Sequence, residues 1–385
     1  MASYLFFLGR STDLAEAELS VFFPNAIKLS DTLFQVDQDE FTSRGTQLPI
    51  SEALKVLGGV VKIAEILGVE PAVTAMNIVK YLLPLGETKI TFGISTYEGV
   101  SFVSQSMYQE VKEILEQESR KVRFVMPKEH HILSSVAVSK QDVTELNIVS
   151  YENTCLFSKT IAIQEFEEWA SRDYDRPYFD SKKGMLPPKA ARMAVNIALG
   201  SEPTGKTLLD PFCGMGTIPG EAVLLGAIPM GSDNDKEAIE KAKKNSIWLR
   251  SNDAKLPPIT YFVSDATHIS DQIRKETIDA IVTEPFMGTP KLGEGKITDK
   301  KDIRNALKGL EKLYIGCLRE WHGLLKPNGV IVMAFPDIII ANTVFSVKNV
   351  IDSCETLGYT KQLGPLGYSR PQAVVRRMFY VLRKK

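Results

Sequence analysis

A short apolar run, Lys206-Thr207-Leu208-Leu209, leads into Asp210-Pro211-Phe212-Cys213-Gly214-Met215-Gly216-Thr217, and Ile218 to Leu225 follows with helical character. Strand, tight glycine turn and helix in succession form the building unit of a parallel α/β sheet, which needs a crossover between neighbouring strands. Glycines allow the sharp turn and let a ligand approach bare backbone at the carboxyl edge of such a sheet. Only two of the three dinucleotide-fingerprint glycines are present, so the turn alone reads as an ordinary strand-to-helix junction unless the following residues agree.

They do agree. Ala227 to Ser232 reads as a second strand ending at Asp233-Asn234, about twenty residues beyond the loop, where a carboxylate can accept from a ribose diol. A third strand, Ile259 to Val263, ends at Ser264-Asp265-Ala266, and a fourth, Ile278 to Val282, ends at Thr283-Glu284-Pro285-Phe286-Met287-Gly288. Four polar strand tips therefore line one edge. Beyond them, Leu307 to Leu325 reads as a helix, Lys326-Pro327-Asn328-Gly329 as a turn and Val330 to Phe335 as a strand. The alternating Arg376 to Leu382 fits a closing strand.

This succession resembles the S-adenosyl-L-methionine-dependent methyltransferases that act on exocyclic amino groups of nucleic-acid bases, with their Asp-Pro-Phe-Cys-Gly-x-Gly-Thr loop, acidic second tip and Asp-Pro-Pro-Tyr-Gly turn. The loop matches closely; in the turn, Glu284 stands for Asp, Phe286 for the second Pro and Met287 for the aromatic residue. The resemblance implies a Rossmann-like class I methyltransferase domain, an α/β fold whose mostly parallel seven-stranded sheet ends in a reversed edge hairpin. It also implies that Asp210, Phe212, Gly214, Gly216, Thr217, Asp233, Asn234, Asp265 and Ala266 hold the cofactor. Glu284, Pro285, Phe286 and Met287 would form the catalytic turn.

The preceding half alternates short strands and helices with no glycine-rich loop. Tyr4 to Gly9, Ile27 to Gln35, Val60 to Leu67, Lys89 to Ser95, Lys121 to Val125, Ser135 to Val138 and Cys155 to Ile163 read as strands. Ser11 to Phe22, residues 74 to 82 and Ser106 to Glu118 read as helices. This content is similar to a ferredoxin-like module followed by a THUMP domain, an RNA-binding module attached to tRNA-modifying enzymes; an anonymous α+β domain is the other reading. Arg176-Pro177-Tyr178-Phe179 and Met185-Leu186-Pro187-Pro188-Lys189-Ala190-Ala191-Arg192 resemble the segment before the cofactor loop in tRNA guanosine N2-methyltransferases. The expected division is 1–70 ferredoxin-like, 71–165 THUMP-like, 166–187 linker and 188–385 methyltransferase.

The net charge of −1 argues for no nucleic-acid partner by itself. Its distribution is uneven: residues 1–165 hold 14 Lys and Arg against 21 Asp and Glu, and the remainder holds 32 against 26. Phosphate contact needs only a local patch. Arg120, Lys121 and Arg123 in the first half, Lys189 and Arg192 facing outward from a helix begun at Pro188, and Lys291 and Lys296 in the Gly-rich and Lys-rich stretch 289–300 are the candidates; each also reads as a solvated face. Four dispersed cysteines and four histidines offer no metal-ligand spacing and suit a reducing cytoplasm, and no apolar run approaches a membrane span.

An aromatic amine is a poor nucleophile, because its lone pair is delocalised into the ring. Acceptors against its N–H groups restore that lone pair and stabilise the charge that grows during in-line transfer. The resemblance covers nearly the whole chain and implies N2-methylation of guanosine at position ten of tRNA, in some relatives with a small activating subunit. Three other readings stand beside it: an amino-methyltransferase for another RNA or DNA base, a non-catalytic RNA- or cofactor-binding relative, and a nicotinamide-dependent oxidoreductase. The oxidoreductase lacks the third glycine and an evident hydride-handling residue.

Overall fold

The computed structural model describes residues 2–385 except 43–49, 86–87, 102, 129–130, 180–184, 290–298, 341–342 and 370–372. It divides the chain into two units that are interleaved in sequence. The first comprises Met1–Gly9, Phe23–Lys55 and Val60–Gln164, the second Arg10–Phe22, Val56–Gly59 and Glu165–Lys385.

The first unit is built on one sheet. Its strands are β1 (Ser3–Leu8), β2 (Ile27–Ser30), β3 (Leu33–Asp37), β4 (Val60–Glu70), β5 (Lys89–Tyr97), β6 (Lys121–Val125), β7 (Thr144–Tyr151) and β8 (Thr154–Ile163), in the order β2-β3-β1-β4-β8-β7-β5-β6. Strand β5 pairs in parallel with β6 and β7, and the other pairings are antiparallel. Because β4 pairs with β1 on one side and β8 on the other, the sheet runs without a break across the expected boundary at 70/71. Tyr108, Phe92 and Phe157 fill the core beneath it.

Residues 135–138 correct the expected strand. Ser135–Lys140 is a helix, capped by Ser134 Oγ, which accepts from the Ala137 amide at 3.2 Å. The alternating valines mimic a strand, but an N-cap serine satisfies an otherwise orphaned amide and starts the helix.

The second unit places β9 (Thr207–Asp210), β10 (Ile228–Asp233), β11 (Thr260–Val263), β12 (Ile278–Thr283), β13 (Leu325–Ile340), β15 (Tyr359–Tyr368) and β16 (Val375–Lys384) in the order β11-β10-β9-β12-β13-β16-β15. The strands from β11 to β13 are parallel, β16 is antiparallel to both its neighbours, and β14 (Thr343–Ser346) adds to β13. This is the wound sheet expected from the glycine turn, and its reversed strand, β16, lies between β13 and the edge strand β15. Its strand order reverses direction at β9, so a crevice opens at the carboxyl ends beside that strand.

Helices cover the sheet: α1 (Thr12–Phe22), α8 (Pro188–Leu199), α9 (Thr217–Leu224), α10 (Lys236–Asn252) and α11 (Lys300–His322) in this unit, with α2 (Gln38–Thr42), α3 (Ile50–Val56), α4 (Ala75–Leu82), α5 (Gln105–Gln117), α6 (Ser135–Lys140) and α7 (Phe166–Ala170) between α1 and α8 in the chain. Trp321 and Tyr314 of α11 are fully buried. Side chains of this size contribute roughly 1.5–3 kcal/mol each on burial. Every residue of α8 except Lys189 is buried. Among the described residues, no helix is long and apolar enough to cross a membrane, and no cluster of potential metal ligands occurs.

Candidate active site

The loop after β9 is held by its own backbone and by its neighbours, the Gly216 amide donating to Cys213 O at 2.8 Å. Gly214 and Gly216 take φ of +49° and +85°, a region that costs a residue with a Cβ about 1–2 kcal/mol. A Cβ on Gly216 would approach the Tyr261 hydroxyl to 2.5 Å, whereas one on Gly214 would meet nothing within 4 Å. Tyr261 thus packs beneath the turn while Gly214 faces open space. The Cys213 amide donates to Ser232 O at 2.8 Å, and Gly214 N donates to Asp233 Oδ2 at 3.0 Å. The second strand tip braces the first.

Asp210 is buried, and its Oδ1 accepts from Thr283 Oγ1 at 2.7 Å and from Phe212 N at 3.1 Å. Burial raises its carboxyl to about 8, with the negative charges of Asp233 and Glu284 adding to the rise and the two donors opposing it. Asp265 is exposed; hydrogen bonds from the Thr267 amide and hydroxyl hold its carboxyl low. Asn234 is exposed, and Ala266 is buried with its carbonyl accepting from Trp321 Nε1 at 2.9 Å. Cys213 is buried, and burial pushes its thiol well above the ordinary range, the opposite of what a nucleophile needs.

At the tip of β12, Glu284 Oε1 accepts from Arg377 Nε of β16 at 2.6 Å, and both side chains are only 17% exposed. Burial raises the Glu284 carboxyl and the Arg377 charge opposes that rise. Pro285 is buried, Met287 is half-buried, and Phe286 stands 52% exposed. The Phe286 carbonyl accepts from Tyr314 Oη of α11 at 2.6 Å. Acceptors, an apolar ring and a buried carboxyl thus share the carboxyl edge with the glycine loop.

Several of these partners are invisible in linear spacing. Thr283, Arg377 and Tyr314 come from three different elements and carry no motif signal of their own; only the alternation through Arg376-Arg377 places an arginine near the strand start. Arg176 Nη1 donates to Thr217 Oγ1 at 2.7 Å, and Asn245 Nδ2 donates to Met215 O at 3.0 Å. The Arg-Pro segment and helix α10 thereby fasten the far end of the glycine loop.

The expected outward-facing pair on α8 needs correction. Arg192 is 3% exposed, and its Nη2 lies 2.7 Å from Glu221 Oε2, which α9 presents. Lys189 is half-buried, its amine 5.6 Å from the Trp169 ring centroid, and Arg172 and Arg192 approach the same ring at 4.2 and 5.5 Å. A helix enclosed on nearly all sides has no solvent face for its cations, so they pair with Glu221 and an aromatic face instead. Lys291 and Lys296 lie outside the described residues. On β6 of the first unit Lys121 and Arg123 are exposed; Arg120, just before it, is half-buried with Nη1 enclosed without a hydrogen-bond partner among the described residues.

Residues 176–353 match the family described as "RMKL-like, methyltransferase domain". The chain is 30% identical over 227 residues to the tRNA (guanine(10)-N2)-dimethyltransferase of Pyrococcus abyssi, covering 58% of each chain. It is 33% identical over 166 residues to the enzyme of that name from Methanothermobacter thermautotrophicus, covering 43% of this chain and 42% of the relative. The match therefore spans about half the length of these curated relatives. The crystal structure of TrmN from Thermus thermophilus shares the fold over 100% of both chains, with a TM-score of 0.56 at 17% identity.

The site suits the cofactor of such a domain, S-adenosyl-L-methionine: bare backbone beside open space at Gly214, a buried carboxyl at Asp210 for an ammonium group, and carboxylates at the next two strand tips for a nucleoside. Residues 176–353 are accordingly similar to the RMKL-like methyltransferase domain family, on a Rossmann-like fold whose glycine loop suits S-adenosyl-L-methionine.

Proposed function

We propose that this protein transfers a methyl group from S-adenosyl-L-methionine to the exocyclic N2 of guanosine at position ten of tRNA. The observation that carries this reading is the Glu284 carboxylate, set beside Asp210 at the carboxyl edge and followed by an exposed aromatic ring. Sequence likeness to enzymes named for that reaction supports the choice of base and atom.

In this reading the Gly214 and Gly216 backbone and Phe212 enclose the methionine part of the cofactor, and Thr217 braces the loop. Asp210 takes the ammonium group, Asp233 and Asn234 the ribose, and Asp265 and Ala266 the adenine. The bound cofactor supplies an electrophilic methyl on a sulfonium. Glu284 and the turn's backbone carbonyls accept from the guanine amine, drawing its lone pair toward the methyl. Phe286, and Met287 beside it, cover the extruded base. Residues 1–70 and 71–165, apart from the segments Arg10–Phe22 and Val56–Gly59 that belong to the second unit, form the RNA-gripping half, with Arg120, Lys121 and Arg123 on phosphates, 166–187 the linker and 188–385 the catalytic part, in a cytoplasmic setting.

The test is transfer of labelled methyl to bulk tRNA with nucleoside analysis, Glu284→Ala beside the wild type. N2-methylguanosine made only by the wild type supports the reading; label on another base, or none, removes it. Running the chain alone and with cell extract tests the small activating subunit, which activity of the chain alone would exclude. The dimethyl product fraction tells mono- from dimethylation.

A further inference from the structure

The turn after β12 has a loose composition for a part that must hold acceptors in place. Glu284 has two side-chain carbons between backbone and carboxyl, and Phe286 lacks the ring that fixes φ in proline. Two donors from outside the turn remove this freedom. Arg377 Nε of β16 reaches Glu284 Oε1 at 2.6 Å, and Tyr314 Oη of α11 reaches the Phe286 carbonyl at 2.6 Å. Tyr314 is fully buried and stands against Phe335 of β13, with ring centroids 5.4 Å apart, so its hydroxyl is a fixed point.

Both clamps act on atoms at the rear of the turn. The Phe286 carbonyl is fastened while its ring remains 52% exposed, so the backbone is anchored and the ring is presented. The Arg377 guanidinium donates to Oε1 of Glu284 and fixes the direction of the carboxylate. Among the described residues, the titratable and charged groups acting on Glu284 are Arg377 from β16, Asp210 from β9 and Tyr314 from α11, and Arg377 is the cation of this set.

We infer that Arg377 and Tyr314 are positioning residues of the methyl-transfer site: Arg377 aims the Glu284 carboxylate, and Tyr314 locks the backbone that presents Phe286. This rests on the function proposed above. If it holds, Arg377→Met lowers kcat on the order of 100-fold, the scale of a 1 Å misplacement, leaves the KM for S-adenosyl-L-methionine unchanged, and moves the rising limb of the kcat–pH profile upward. Arg377→Lys restores the limb. Tyr314→Phe lowers kcat without moving it.

An activity-free readout keeps the inference separate from the reading on which it rests. Carboxyl-carbon NMR titration should place the Glu284 pKa higher in Arg377→Met than in the wild type, and amide exchange at Phe286 and Met287 should quicken in Tyr314→Phe. Unchanged titration and exchange overturn the inference whether or not the wild type methylates tRNA. A wild type that makes no methylated tRNA, with both readouts moved, overturns the proposed function and retains the clamps.

Discussion

The Thr283 hydroxyl donates to Asp210 Oδ1 across 2.7 Å, so the last residue of one parallel strand orients the carboxyl at the tip of its neighbour and opposes the rise that burial gives it. Asp210 is raised to about 8, and an ammonium group brought beside it favours the ionised form. Binding of S-adenosyl-L-methionine should release a proton below pH 8 and tighten as pH rises from 6 to 8, then level off. Thr283→Val removes a donor to the carboxylate and should move this rise to higher pH. Calorimetry in buffers of different ionisation enthalpy checks both; affinity independent of pH removes Asp210 as the ammonium partner.

The same carboxyl bears on stability without ligand. A carboxyl whose folded pKa lies above its unfolded value binds more protons in the native state, so stability falls as pH rises between the two. Asp210 gives this slope from about 4 to 8, and Glu18, raised to about 7 by burial, adds to it up to that value. The midpoint of urea unfolding of the ligand-free protein should be higher at pH 6 than at pH 8, and Asp210→Asn should flatten the difference.

Glu18 of α1 also has a structural task. Its oxygens accept from Gly58 N at 2.9 Å, Gly59 N at 2.8 Å and Asn196 Nδ2 at 2.6 Å. Glu18→Ala strands these buried donors and should cost about 3 kcal/mol or more, given 1–3 kcal/mol for each buried group left unpaired. Thermal unfolding measures it; a variant as stable as the wild type would mean that water replaces the carboxylate.

Arg192 and the β6 cations should separate stability from RNA binding. Arg192→Met leaves Glu221 with one cation fewer in a buried site, a loss of up to about 3–5 kcal/mol, with no change in the salt dependence of tRNA binding by the folded fraction. Lys121→Ala with Arg123→Ala should leave stability intact and make the slope of log affinity against log salt shallower by about 0.7–0.9 for each phosphate the two cations neutralise. A slope unmoved by the double variant takes β6 off the RNA surface.

Phe286→Ala should raise KM for tRNA and lower kcat while leaving cofactor affinity alone, because the ring is half exposed and does not pack in the core. Base stacking on an aromatic side chain contributes roughly 1–3 kcal/mol. Steady-state kinetics with tRNA varied at saturating cofactor distinguishes this from a purely structural loss.

The wound sheet was legible because four of its parallel strands end on polar turns in sequence: Asp210, Asp233, Asp265 and Glu284 mark tips that neighbour one another in the folded sheet. What held those tips was not legible. Thr283 reads as the end of a strand, Tyr314 as one apolar position in a long helix and Arg377 as half of a basic pair, and only pairing of β13 with β16 and burial of α11 bring them to the turn. Residues 135–138 misled because alternating valines suit either period over so short a span, and the deciding serine is a single cap. Arg192 misled because charge is a poor guide to exposure where a glutamate from another helix waits to receive it.

The alternation of the two units along the chain sets a limit on how the protein can be divided. Helix α1 and the segment Val56–Gly59 belong with residues 165–385, while the strands on either side of them belong to the other sheet. A fragment starting at Glu165 would keep the glycine loop and the Glu284 turn but lose Glu18 and Val56, and with them two acceptors for Asn196. The second unit is therefore not a module that can be excised or transplanted with a single cut; its chain must leave for the other sheet and return twice before it is complete.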